Sequence, residues 1–336
     1  MSEYNRRSFL KSMAAAGVGL ATAGSPFLSK AKSTQSPTPV GMIGLDTSHS
    51  PAFTDIINNS PEITDFQVVA AYPHGSRTIE SSYSRIPEYT EQVKEMGVEI
   101  VDSIDELLNR VEVVLLETND GHPHLEQSLP VLEAGKRLFI DKPIAGSLED
   151  TIAIMDASEE YNTPIFSSSS LRYIEKAQAV RHENLIGDVL GADTYSPASL
   201  EESHPDLFWY GIHGVEILYT VMGTGCETVR RVHTDDYDIV TGTWGDGRLG
   251  NFRGTRKGRH GYGGRAFGSE EILDLGTYEG YKPLLLKVLD FFRTGESPVS
   301  MEETLEIYAF MEAADESKRR DGEAVTIEEV LSKARA

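Results

Sequence analysis

From residue 40 onward the chain alternates short, nearly continuous apolar runs with longer stretches of helical periodicity. The apolar runs fall at 40–45, 66–71, 98–101, 111–116 and 137–140. Each has the length and continuous apolar character of a strand buried on both faces. Helical stretches at 53–58, 86–96, 103–109, 123–134 and 147–160 separate them. Ser50-Pro51 pairs a cap with a first-turn proline, and Ser103 with Glu106 has capping-box spacing. This β-α-β-α order predicts an α/β, doubly wound parallel sheet, whose ligands bind beyond the carboxyl ends of its strands. Residues 44–50, 72–77, 117–124 and 141–143 occupy those ends.

The second half changes pattern. Strands are expected near 191–198, 226–233, 237–244 and 247–253, with Gly245-Asp246-Gly247 as a hairpin signal. Helices are expected over 205–222, 277–293 and 303–318. The pattern predicts an α+β unit, an open antiparallel sheet with helices on one face. The expected organisation is therefore a first domain at 39–166 and a second at 167–336, and 336 residues suffice for two.

Charge and cysteine content narrow the function classes. A net charge of −22 repels phosphate backbones and anionic lipid, so no nucleic-acid partner is expected. The single cysteine, Cys226, excludes an intramolecular disulfide framework and any multi-cysteine metal site. Residues 1–31 have the parts of an export signal: Arg6-Arg7, a weakly apolar run, and small residues allowing cleavage near Ala23 or Ala31. The run is too short for a stable membrane span. Arg6-Arg7-Ser8-Phe9-Leu10-Lys11 resembles the twin-arginine signal, which implies that the export machinery is a partner and the destination periplasmic. Residues 32–38 read as a flexible leader.

The strand ends carry the candidate chemistry. In the first turn the G-x-G-x-x-G positions hold Gly44, Asp46 and His49, so only the first glycine remains. Asp46 is expected to bring a carboxylate close to a phosphate, while Thr47, Ser48 and a protonated His49 offer compensating donors. A generic βα turn and a nucleotide site both stay open on this motif. After the second run, Tyr72 to Arg77 includes no acid for ribose hydroxyls; Ser76 and Arg77 suit a 2′-phosphate, and a plain surface turn suits them equally. Thr118, Asp120 and His124 follow the fourth run, and Asp141-Lys142-Pro143 follows the fifth. A lysine at the end of a buried strand is costly unless paired or used, and its shiftable pKa suits proton transfer. His122 and His124 have no third ligand close in sequence, so no metal site is expected. Ser167 to Ser170 lack a G-x-S-x-G setting and read as a polar strand end. Arg253, Arg256, Arg259 and Arg265 form a basic patch, either a solvated loop or a subunit contact.

Gly44 in its strand-turn-helix, the Ala134-Gly135-Lys136 helix end and above all Asp141-Lys142-Pro143 resemble the Gfo/Idh/MocA family, whose hallmark is Glu-Lys-Pro at this point. The resemblance runs over about 39–320. It implies an N-terminal Rossmann domain holding NAD or NADP, through Gly44, Asp46, Thr47, Ser48, His49, Tyr72, Ser76, Arg77, Thr118, Asp120, His124, Asp141 and Lys142. His124 matches a family position on the nicotinamide side. The family's second motif, Asp-x-x-x-His-x-x-Asp, matches Trp209, His213 and Glu216. Phe208, Ile212, Val215, Tyr219 and Met222 make one apolar stripe, and Trp209, His213, Glu216 and Thr220 lie on the neighbouring face, expected to meet a cleft. The implied catalytic residues are Lys142, His213 and Glu216; the implied substrate contacts add Arg172 and Trp209. The implied activity is hydride transfer between the nicotinamide and a sugar, glycoside or cyclitol, by a homo-oligomer. Because the fingerprint and the helix aspartate are altered, a binding protein without redox turnover and a cofactor-assisted keto-glycoside lyase remain as rivals.

Overall fold

A computed structural model describes residues 36–336, so the expected signal at 1–31 and most of the leader at 32–38 lie outside the described residues. Six strands form the first sheet: β1 (Thr38–Ile43), β2 (Phe66–Tyr72), β3 (Glu99–Ile100), β4 (Val113–Leu116), β5 (Arg137–Ile140) and β6 (Ile165–Ser167). They stand in the order β3-β2-β1-β4-β5-β6, and every pairing is parallel. The chain reverses direction across the sheet between β1 and β4, which opens a crevice at their carboxyl ends. All four residues of β4 are buried, as a central strand covered by helices on both faces requires.

The covering helices follow the expected caps only in part: Ser103 stands where its spacing places it, while the helix expected to open at Ser50 starts at His49 with Ser50 inside it. They are α1 (His49–Asn59), α2 (Glu80–Tyr83), α3 (Ile86–Glu95), α4 (Ile104–Leu108), α5 (His124–Glu133) and α6 (Leu148–Glu160). Ser103 accepts from the Glu106 N–H and Ser147 from the Asp150 N–H, each satisfying an otherwise orphaned donor. β1 starts at Thr38, inside the expected leader. β6 shows in the sequence only as the polar strand end at Ser167, because Pro164 and the serines flank just three residues.

The second sheet has seven strands: β7 (Val189–Pro197), β8 (Cys226–His233), β9 (Tyr237–Trp244), β10 (Leu249–Thr255), β11 (Gly263–Gly268), β12 (Ile272–Asp274) and β13 (Val325–Thr326). Its order is β12-β11-β7-β10-β9-β8-β13. The sheet is mixed rather than purely antiparallel: β7 and β10 pair in parallel, while the remaining pairs are antiparallel. The long connection from β7 to β10 carries two helices and a hairpin, which gives the crossover a parallel pair needs.

The helices of the second half are α7 (Glu175–His182), α8 (Asp206–Trp209), α9 (Ile212–Met222), α10 (Lys282–Thr294), α11 (Met301–Arg319) and α12 (Ile327–Ala334). The stretch expected as one helix at 205–222 breaks at Tyr210–Gly211, and α10 starts late because Pro283 fixes its first turn. α9 lies under the sheet and is buried all round, so it is a core helix and not the two-faced one its spacing suggests. The other sheet face stays uncovered and exposes Tyr195, Leu249 and Arg253. Among the described residues no helix is long and apolar enough to cross a membrane.

Cys226 lies at the start of β8 with its side chain inward. Burial, reinforced by the Glu306 carboxylate, pushes its thiol up to about 12. The thiolate is the reactive form, so at pH 8 the folded protein should react with a thiol reagent roughly a thousandfold more slowly than the unfolded chain. Thiol titration with and without denaturant checks this; equal rates would place the sulfur at the surface.

Candidate active site

The strand ends of the first sheet and the start of α9 enclose one cleft of about 210 Å³. Lys142, just past β5, and His213, in the first turn of α9, both line it. Lys142 Nζ stands 5.4 Å from the centre of the Tyr210 ring. It makes no ion pair within 4 Å among the described residues, although the residue is only 6% exposed. Burial draws its pKa below the ordinary ammonium range, with Asp141 partly offsetting the effect. His213 Nδ1 shares a 2.7 Å hydrogen bond with Ser169 Oγ, so Nε2 is the nitrogen left for a ligand. Burial, with Lys142 and His49 adding repulsion, drives His213 well below its ordinary value and keeps the imidazole neutral. A lysine that gives up its proton easily and a neutral histidine together suit proton exchange with a hydroxyl.

Around them the cleft is lined by Thr47, Ser48, Arg85, Trp209 and a set of tyrosines. Tyr262 packs edge-on against His213 at 5.7 Å, and Tyr278 against Tyr281 at 5.8 Å. These tyrosines and Arg85 were missed. Their signal is weak: Tyr262, Tyr278 and Tyr281 sit in glycine-rich segments whose position relative to α9 depends on tertiary packing.

Gly44 keeps its first-glycine role. Its φ is +85°, and a Cβ there would lie 2.6 Å from the Thr118 backbone nitrogen. Asp46 departs from the expectation: its carboxylate turns inward and accepts from the Ser76 N–H at 2.7 Å and the Asn119 N–H at 2.9 Å. It stitches together the turns after β1, β2 and β4, and so does not confront a phosphate. Gly75 permits this, because a Cβ there would meet Asp46 Oδ2 at 2.3 Å.

Several expected ligand contacts are engaged elsewhere. Ser76 is buried and donates to Asp120 at 2.8 Å. Arg77 is exposed and pairs with Glu126, and Tyr72 packs against His74. His124 is fully buried with its ring nitrogens on the Thr118 and Ile144 carbonyls, so it cannot face a nicotinamide. Thr118 bonds Gln127 through its hydroxyl. Arg172 and Glu216 are also absent from the cleft wall. Arg172 Nε donates to Glu216 at 2.6 Å, and another of its nitrogens to Glu303 at 2.6 Å. Glu216 additionally accepts from the Ser169 N–H, which leaves it a buried anchor for the loop that holds His213. Trp209 stays in the wall as expected, and Asp141 faces His49 at 2.6 Å.

Residues 39–168 match the family model described as "Oxidoreductase family, NAD-binding Rossmann fold", Gfo/Idh/MocA. That segment belongs to the Gfo/Idh/MocA family. An uncharacterized oxidoreductase of Streptococcus pneumoniae is 27% identical over 160 residues, 43% of this chain and 43% of its own length. The chain thus matches less than half of that relative's length. A putative NADPH-dependent oxidoreductase of Desulfitobacterium hafniense superposes with a TM-score of 0.70 at 17% identity, over 88% of this chain and 99% of the other. Scyllo-inositol dehydrogenase of Lactobacillus casei, solved with NAD(H) and scyllo-inositol, gives 0.70 at 16%, over 87% and 99%. At such identities the two structures establish that the fold is shared through both sheets.

The Gfo/Idh/MocA segment fits its nicotinamide nucleotide by its donor set. Thr47, Ser48 and Arg85 line the same cleft as Lys142 and supply hydroxyl and guanidinium donors for phosphate, and the one acid in the fingerprint is turned away.

Proposed function

We propose that the protein is an NAD(P)-dependent oxidoreductase that moves hydride between the nicotinamide and a sugar, glycoside or cyclitol hydroxyl or ketone. The observation that carries this reading is the meeting of Lys142 and His213 in one cleft, each held by burial in a form that can exchange a proton. A bound nicotinamide would supply the hydride chemistry at the substrate carbon. Lys142 would hold and polarise the substrate oxygen and share in the transfer of its proton while charge changes there. His213 would take or return the hydroxyl proton through Nε2, its orientation fixed by Ser169. The tyrosine walls suit the apolar faces of a ring, and they exclude water from the reacting atoms.

The proposal includes the setting. The Arg6-Arg7 pattern supports twin-arginine export to the periplasm, and the uncovered sheet face with Tyr195 and Leu249 supports homo-oligomerisation. Incubation with NAD or NADP and a panel of carbon-deuterated polyols tests the chemistry. Deuterium should appear in the reduced nucleotide for at least one polyol. Aglycone release from a glycoside without net reduced nucleotide would instead favour the lyase.

A further inference from the structure

Three side chains converge at the floor of the crevice: His49 at the start of α1, Glu117 one residue past β4 and Asp141 one residue past β5. They are 8%, 0% and 1% exposed. One ligand atom from each lies within 4.8 Å of the others. His49 Nδ1 is 2.6 Å from Asp141 Oδ2 and 3.8 Å from Glu117 Oε2. Neither oxygen of Glu117 and neither oxygen of Asp141 receives a hydrogen bond of good geometry. Glu117 is thus a buried carboxyl with no donor, and Asp141 has the His49 ring against one oxygen; burying both is costly unless further positive charge is brought to them. Lys142 comes no closer than 4 Å to either one.

We propose that His49, Glu117 and Asp141 bind one divalent transition-metal ion of the Mn²⁺ or Zn²⁺ class. Two carboxylates and a neutral imidazole around a dication leave the buried cluster uncharged. One nitrogen with carboxylate oxygens suits these metals, whereas Mg²⁺ and Ca²⁺ favour all-oxygen shells. Ligands about 2.1 Å from a metal stand roughly 3 Å apart at right angles, so the Asp141 oxygen, at 2.6 Å from His49 Nδ1, moves outward and the Glu117 oxygen, at 3.8 Å, moves inward. His49 also lines the cleft, which provides the entry path and leaves open coordination positions facing it. The nitrogen ligand stands where the glycine fingerprint would have its third glycine, so the departure from that fingerprint is what creates the site.

A second cluster, Asp120, His122 and His204, has similar spacing but no such need. Asp120 accepts from Ser76 and from the His122 N–H, His204 Nε2 accepts from the Gly121 N–H, and His122 Nε2 meets the Ser203 carbonyl. It serves as the control.

The site does not depend on the oxidoreductase reading. The test is calorimetric titration of chelator-stripped full-length protein with MnCl₂ and with ZnCl₂, with elemental analysis of the product. About one ion per chain is expected for at least one metal. Glu117→Gln and Asp141→Asn, which keep shape while removing a charge, should each weaken binding at least tenfold with the far-ultraviolet spectrum unchanged, in line with the roughly 10- to 100-fold effects of perturbing metal sites. His122→Ala should bind as the parent does. Absence of binding by both metals overturns the proposal, and so does full-strength binding by the Glu117 and Asp141 variants, or loss of binding on replacing His122.

Discussion

Lys142→Met should lower kcat/KM by about a thousandfold, within the range assigned to loss of a positioned acid–base group. The same change should leave stability unchanged or raise it. Lys142 has no ion-pair partner within 4 Å, and its pKa is already depressed by burial. Removing an unpaired buried ammonium relieves a desolvation cost. A structural lysine would behave in the opposite way, losing stability and only incidentally activity. Lys142→Arg separates charge from proton transfer, because a guanidinium stays protonated. It should hold a substrate oxygen yet restore little of the rate. Steady-state rates and urea unfolding on the three proteins decide the matter; a Lys142→Met enzyme with normal kcat would remove this residue from the chemistry.

Arg172→Met should destabilise the fold by about 3–5 kcal/mol, the cost of leaving buried partners of an ion pair uncompensated. Arg172, Glu216 and Glu303 are all under 5% exposed. The two carboxylates more than offset the burial that would otherwise depress the guanidinium, so Arg172 stays charged. Arg181 also reaches Glu303, at 2.5 Å, and keeps part of that charge paired after the substitution. Urea unfolding should show a lower midpoint with an unchanged slope. Glu216→Gln should likewise lose stability while the protein that remains folded keeps its pH–rate profile. A profile shifted in Glu216→Gln would return this glutamate to the proton path.

The fold was legible where local chemistry and burial agree. Five of the strands in the first sheet announce themselves as apolar runs, since a strand covered on both faces has no polar positions to hide them. β6 shows only through its polar end at Ser167, because three residues beside a proline carry no period. The parallel pairing of β7 with β10 escaped for a different reason: pairing direction belongs to the crossover, and no residue of either strand encodes it. In the site, Lys142 stood out because an ammonium at the end of a buried strand contradicts its surroundings. His213 stood out by its place in an apolar helix. Glu216 shared that signal and has the other origin, an ion pair with Arg172, which periodicity cannot distinguish from a cleft-facing acid. Glu117 was marked only by its place at a strand end, because its lack of partners exists only once β1, β4 and β5 are side by side.

The most direct test of the account is the nucleotide content of the protein itself. Gently purified protein is denatured, and the supernatant is assayed for nicotinamide nucleotide by absorbance and mass. The account predicts bound NAD or NADP, or saturable binding of one of them when added, despite Asp46 and His49 in the fingerprint. A chain that is isolated empty and also binds neither added nucleotide would contradict it.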